Sequence, residues 1–142
     1  MKIFLHCLVI NMNYLLDTCT LLWAINDSDN LPKNIKAIID DYDNDILVSQ
    51  VSIWEIAIKH QKNPNLMPYN EKDILNVILR SGFILLDIRD ENIISLPEIM
   101  KQNIHKDPFD HMLLATAMNE NATLLSHDSI LKSYTGIKVV TY

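Results

Sequence analysis

Four carboxylates carry the chemistry that this chain can offer. They are Asp17 in Tyr14-Leu15-Leu16-Asp17-Thr18, Glu55 in Ser52-Ile53-Trp54-Glu55-Ile56, Asp110 in Asp107-Pro108-Phe109-Asp110-His111, and Asp128 in Leu124-Leu125-Ser126-His127-Asp128. Each stands where a strand or a helix is expected to begin or end. They are far apart in the chain, so they meet only if the fold gathers the ends of several elements. Acids crowded into one pocket repel, and some take up protons to relieve it. The usual remedy is a hard divalent cation held through oxygen. A cation so held polarises phosphoryl oxygens and activates water, so the pattern points to metal-assisted phosphate chemistry.

Each acid also has a structural role open to it. Asp17 follows an apolar run and can cap a helix starting at Thr20, although its place past a strand end favours a metal or catalytic role. Ser52-x-x-Glu55 fits a capping box, which competes with ligation for the same carboxylate. Asp107 before Pro108 is a natural N-cap. That leaves Asp110 in the first helical turn, where the helix dipole favours an anion and is expected to keep its pKa low. Asp128 can cap a short helix reaching Leu131. Ser126 can orient a metal-bound water or simply end its strand. His105, Asp107, Asp110 and His111 resemble a metallohydrolase cluster, but the chain has no His-x-His pair and no His-Glu-x-x-His. Zinc prefers nitrogen and sulfur, whereas these acids offer oxygen. His60 and His127 read as surface residues, Cys19 as a small buried one, and Trp23 and Trp54 as core.

The elements that must position these groups show in the apolar pattern. Candidate strands are Tyr14–Leu16, Ile46–Val48, Phe83–Leu86, Thr123–Leu125 and Lys138–Val140. The first four are nearly continuous apolar runs, as in strands covered on both faces, and the fifth suits an edge. Pro32 opens a helix whose Ile35, Ile38, Ile39 and Tyr42 share a face. A second helix starts near Ser52 and runs to about Lys62, where Asn63-Pro64 ends it. A third follows Asn70. A fourth, widely buried, runs from Asp107-Pro108 to about Asn119. Strands alternating with helices imply an α/β sandwich around a mainly parallel sheet. In such sheets, sites form beyond the carboxyl ends of the strands.

Bulk properties narrow the class. A chain of 142 residues fits one domain. The scarcity of glycine excludes a glycine-rich phosphate loop. A net charge of −6 argues against general coating of nucleic acid, but not against a nuclease with local basic patches. Asp40, Asp41, Asp43 and Asp45 read as a solvated loop. Cys7 and Cys19 form no Cys-x-x-Cys pair and suggest no disulfide framework, consistent with a reduced cytoplasm. Residues 3–10 form a short apolar run without a small-residue cleavage site, too short to span a bilayer. The first eleven residues read as an extension ahead of a native start at Met12.

Taken in order, these segments resemble the PIN-domain family, and within it the VapC-type toxin ribonucleases, from about Met12 to Tyr142. Tyr14-Leu15-Leu16-Asp17-Thr18 with Leu21-Leu22-Trp23 is similar to the family's first motif. Val48-Ser49 with Ser52-Ile53-Trp54-Glu55-Ile56-Ala57-Ile58-Lys59 is similar to the second, His105-Lys106-Asp107-Pro108-Phe109-Asp110 to the third, and Leu124-Leu125-Ser126-His127-Asp128 to the fourth. The resemblance implies a three-layer α/β/α sandwich with strand order 3-2-1-4-5. It places the acidic quartet on Asp17, Glu55, Asp110 and Asp128, and the accompanying hydroxyl on Ser126. It implies Mg²⁺ or Mn²⁺, endonucleolytic cutting of RNA, a homodimer, and an antitoxin whose tail blocks the acidic pocket; no membrane partner is expected, since the one apolar run is too short to span a bilayer. One departure is His111, standing where the family often has Arg after the third acid. That exchanges a permanent phosphate contact for a weaker, pH-dependent one. A non-catalytic module that holds a basic peptide in the acidic pocket is the alternative. A dehalogenase-like phosphatase is disfavoured, because its Asp-x-Asp signature needs an acid at Cys19.

Overall fold

The computed structural model describes residues 12–142. The extension proposed over residues 1–11 lies outside the described residues. The strands are β1 (Met12–Leu16), β2 (Asn44–Ser49), β3 (Ile84–Leu86), β4 (Thr123–Ser126) and β5 (Lys138–Thr141). They form one sheet in the order β3-β2-β1-β4-β5, and every neighbouring pair is parallel. This is the order expected from the family resemblance. The helices are α1 (Thr18–Ile25), α2 (Lys33–Asp40), α3 (Gln50–Lys62), α4 (Glu71–Ser81), α5 (Asp90–Met100) and α6 (Pro108–Asn119). A 3-10 turn spans Ser129–Ser133.

The period-two alternation of strand side chains divides the core into two layers. Leu15, Leu47 and Leu124 point to one face, where they meet Leu113, Leu114 and Ala117 of α6 and Ile99 of α5. Leu16, Ile46, Val48 and Leu125 point to the other, against Leu21 of α1, Ile35 and Ile39 of α2, and Ile74 and Ile78 of α4. Both faces of the central strands are therefore covered, which is why they read as unbroken apolar runs. Helix α3 serves both layers, giving Val51 to the first and Ile53 and Ile56 to the second.

Local chemistry sets the helix ends. Asp107 caps α6 by accepting from the Phe109 amide, with Pro108 at the first helical position, as the sequence leads one to expect. Asn70 caps α4 through the Asp73 amide, and Gly82 ends that helix at φ +78°, a left-handed conformation that glycine adopts without strain.

Three expectations need correction, and one helix was missed. Helix α3 begins at Gln50 with Ser49 as its cap, so Ser52 lies inside the helix and the Ser52–Glu55 capping box does not form. Helix α2 stops at Asp40, which leaves Tyr42 fully exposed instead of sharing the apolar face. Trp54 is 57 % exposed, with its ring set edge-on to Phe109. Helix α5 was not anticipated, because Pro97 lies within it and Ile93 and Ile94 face solvent, blurring its apolar stripe. No described helix is long and apolar enough to cross a membrane.

Candidate metal centre

The parallel sheet directs every strand's carboxyl end to the same edge of the molecule, and the four acids collect there. Asp17 follows β1 directly, and its amide donates to Leu125 O at 3.1 Å, extending the β1–β4 ladder by one rung. Ser126 ends β4, and Asp128 caps the turn beyond it by accepting from the Ile130 amide. Glu55 projects from the second turn of α3, and Asp110 from the first turn of α6. Asp17, Glu55, Asp110 and Asp128 all line one open cleft of about 600 Å³, together with Asp107 and Lys59.

Asp17 is the best-anchored of them. It is buried; one carboxylate oxygen accepts from the Thr20 amide at 2.8 Å and the other from the Ser126 hydroxyl at 2.6 Å. Capping therefore does not preclude ligation, since each oxygen keeps a lone pair for another partner. Ser126 is completely buried behind Asp17, and its oxygen accepts from the Asp128 amide at 3.0 Å. One hydroxyl thus ties the first acid to the fourth.

Glu55 is held differently. Thr18 Oγ1 donates to Glu55 Oε1 at 2.7 Å and lies 3.1 Å from Ser52 Oγ, while Lys59 Nζ pairs with Glu55 Oε2 one turn along α3. Thr18, which lines the cleft, and Ser52, fully buried beside it, support Glu55, a part the motif reading did not give them. Their signal was available, as a hydroxyl follows Asp17 directly and another lies one helical turn before Glu55.

Asp110 departs from expectation. Burial, the largest influence, pushes its carboxyl up from the usual range to about 6. A hydrogen bond from His105 opposes the rise, and the charges of Asp107 and Asp17 add to it. Desolvation thus outweighs the helix dipole. His105 Nε2 sits 2.8 Å from Asp110 Oδ2. Cys19 is partly exposed in the cleft, and burial and the nearby Asp17 push its thiol up to about 11, so it is a poor nucleophile. His111 is buried, its Nε2 2.7 Å from His105 O, and it does not line the cleft. The phosphate contact expected of it has no geometric basis. His127, though exposed, does line the cleft, with Nδ1 2.9 Å from Tyr142 O.

The donors fit a hard divalent ion. The four acids present only oxygen, they converge from separate elements, and Asp110 is a partly buried carboxylate whose charge desolvation disfavours. Glu55 is the exception, being already paired with Lys59.

Comparison with solved structures places the fold among several bacterial complexes. VapBC2 from Rickettsia felis bound to a promoter DNA fragment matches with a TM-score of 0.70 at 20% identity, over 92% of this chain and 99% of that one. DNA-bound VapBC from Salmonella typhimurium gives 0.67 at 17%, over 92% and 98%. VapBC-1 from nontypeable Haemophilus influenzae gives 0.63 at 14%, over 92% and 98%. Among curated proteins, no sequence matches this one. The sequence model of the PIN domain matches residues 14–137, which takes in all four acids, most of β1 and the whole of β2, β3 and β4, and stops just before β5, and the chain belongs to the PIN domain family.

Proposed function

We propose that this protein is a metal-dependent endoribonuclease and the toxin of a type II toxin–antitoxin pair. The observation that carries the reading is the meeting of Asp17, Glu55, Asp110 and Asp128 in one cleft at the carboxyl edge of the sheet. Its likeness in fold to chains of VapBC complexes supports the toxin assignment.

In this reading Asp17, Asp110 and Asp128 would hold Mg²⁺ or Mn²⁺, directly or through water. The bound ion supplies charge stabilisation at the phosphoryl group and a more acidic water. The remaining work falls to the chain's own side chains. Ser126 and the Thr20 amide fix the Asp17 carboxylate, so it meets its ligand without reorganising. Thr18 and Lys59 hold Glu55 at the cleft wall, where it orients the attacking water or, once Lys59 is displaced, takes a second ion. Lys62 and Lys106 are exposed near the cleft and hold the RNA backbone, a contact that weakens as salt rises. The same acidic cleft would accept a basic antitoxin tail and be blocked by it. A shallow groove lined by Trp54, Leu75 and Ile88 offers apolar surface for the antitoxin or for the second copy of a homodimer.

The test is cleavage of RNA with Mg²⁺ or Mn²⁺, with chelator, and with Asp17→Asn. Metal-dependent cleavage that the variant loses is the expected result. Unchanged cleavage by the variant removes the mechanism. Binding of a basic peptide in the presence of chelator, with no turnover of any RNA, would favour a non-catalytic module instead.

A further inference from the structure

We propose that His105 is a metal ligand, forming with Asp107 and Asp110 a mixed nitrogen–oxygen position that takes a divalent transition ion in preference to Mg²⁺. The proposal deepens the nuclease reading and rests on a cation entering the cleft.

One ligand atom from each of His105, Asp107 and Asp110 lies within 4.8 Å of the other two. His105 Nε2 and Asp110 Oδ2 are 2.8 Å apart, close to the ~3 Å edge between neighbouring ligands around an octahedral ion with bonds of ~2.1 Å. Without metal this contact is a hydrogen bond. An entering ion takes the place of the shared proton, which moves to Nδ1 or to water.

The position is built in advance. The segment carrying His105 is pinned where His111 Nε2 meets His105 O at 2.7 Å. Asp107 commits Oδ1 to the Phe109 amide, which leaves Oδ2 for another partner. Asp107 and Asp110 both line the cleft that holds Asp17 and Asp128.

The two halves of that cleft differ in how their charge is balanced. Glu55 has Lys59 as its counter-charge. No lysine or arginine among the described residues pairs with Asp107 or Asp110. Two acids and one imidazole remain. Imidazole nitrogen suits transition ions, whereas Mg²⁺ keeps to oxygen and water. The closely set His105, Asp107 and Asp110 are therefore not a zinc-type cluster of nitrogen and sulfur, yet they are not purely oxygen either.

Pulsed electron paramagnetic resonance of Mn²⁺ bound to the metal-stripped full chain tests this directly, alongside calorimetric titration with Mn²⁺ and Mg²⁺. A coupling from a directly bound ¹⁴N nucleus is expected, converting to the ¹⁵N pattern when histidine is isotopically labelled. In His105→Gln the coupling should vanish and Mn²⁺ affinity fall on the order of 10-fold or more. Mg²⁺ affinity should stay within about threefold, since its ligands are the carboxylates. His127→Gln should change neither. Mn²⁺ bound without nitrogen coupling, or a coupling lost only in His127→Gln, overturns the proposal and leaves the nuclease reading standing. Failure of both ions to bind the unaltered chain overturns both.

Discussion

The molecule carries acids at both edges of its sheet, and they differ in everything but charge. At the amino edge of β2, Asp40, Asp41 and Asp43 are exposed, and Asp45 is half-buried. Their one recorded side-chain bond is local, Asp41 Oδ1 accepting from the Asp43 amide. At the carboxyl edge, Asp17 is bonded to Thr20 and Ser126, Glu55 to Thr18 and Lys59, and Asp110 to His105. Solvated charges at the first edge are screened and cost little. Charges at the second are partly desolvated, and Asp17 and Glu55 are held by partners distant in sequence, Ser126 and Thr18, so the fold spends stability to keep them there. A cleft of about 460 Å³ also opens at the first edge, beside Asp40, Asp41 and Asp45. Neither a hollow nor a cluster of acids separates the two edges; the long-range bonds to Asp17 and Glu55 do.

The largest effect expected is on Asp17. In Asp17→Asn the remaining oxygen still caps Thr20, so the fold should survive. The variant loses a charged ligand, and RNA cleavage should fall by on the order of 10³-fold or more, about 4 kcal/mol of transition-state stabilisation. Cleavage assays with thermal melts of the same preparations separate the two effects. A variant that melts like the parent and cuts like it would erase the distinction between the edges.

The next effect is linked to pH. The folded Asp110 carboxyl is raised to about 6, whereas in the unfolded chain it titrates near its ordinary value. Between roughly pH 4 and 6 the folded chain therefore binds a proton that the unfolded chain has lost, and metal-free stability declines as pH rises through that window. Above it the cost is fully present, about 2–3 kcal/mol after allowance for partial exposure. A divalent ion relieves that cost by replacing the proton. Mn²⁺ should raise the Tm at pH 7.5 and have little effect at pH 5, as melts at the two pH values would reveal. Equal protection at both would place the ion elsewhere.

Ser126→Ala should be milder. It strips one donor from Asp17 and the acceptor from the Asp128 amide, costing about 1–3 kcal/mol of stability. Cleavage should drop about 10- to 100-fold, as is usual when the support of a metal ligand is lost. Restored cleavage in Ser126→Thr, with the hydroxyl returned, would separate positioning from general damage.

How much of this was legible in the chain depends on range. The strands were readable because Leu15-Leu16, Leu47-Val48 and Leu124-Leu125 are apolar on both faces, and the strand order followed from the family resemblance. The Asp107 cap was readable because capping is local. Glu55 was ambiguous, since a capping box and a site acid share one spacing and only the start of α3 at Gln50 decides between them. The raised carboxyl of Asp110 was misjudged because its helix dipole is visible in sequence and its burial is not. Trp54 was placed in the core because a large aromatic on an apolar helix gives no local sign that its face is uncovered. His105 drew no weight from motif spacing, which does not register that the loop before α6 brings its ring to the Asp110 carboxylate.

The smallest effect is expected at the amino edge. In Asp41→Asn the new side chain can still accept from the Asp43 amide, so the turn is preserved. Removing one charge from an exposed acidic run relieves a little repulsion and should change stability by no more than about 0.5 kcal/mol in either direction. Cleavage and Mn²⁺ protection at pH 7.5 should both match the parent chain. These are sensitive controls, because Asp41 has the same chemistry and an adjacent hollow but no bond to a residue far along the chain. Loss of Mn²⁺ protection in this variant would mean that the ion sits at the amino edge, and that the bonds holding Asp17 and Glu55 across the fold do not mark the metal-binding edge.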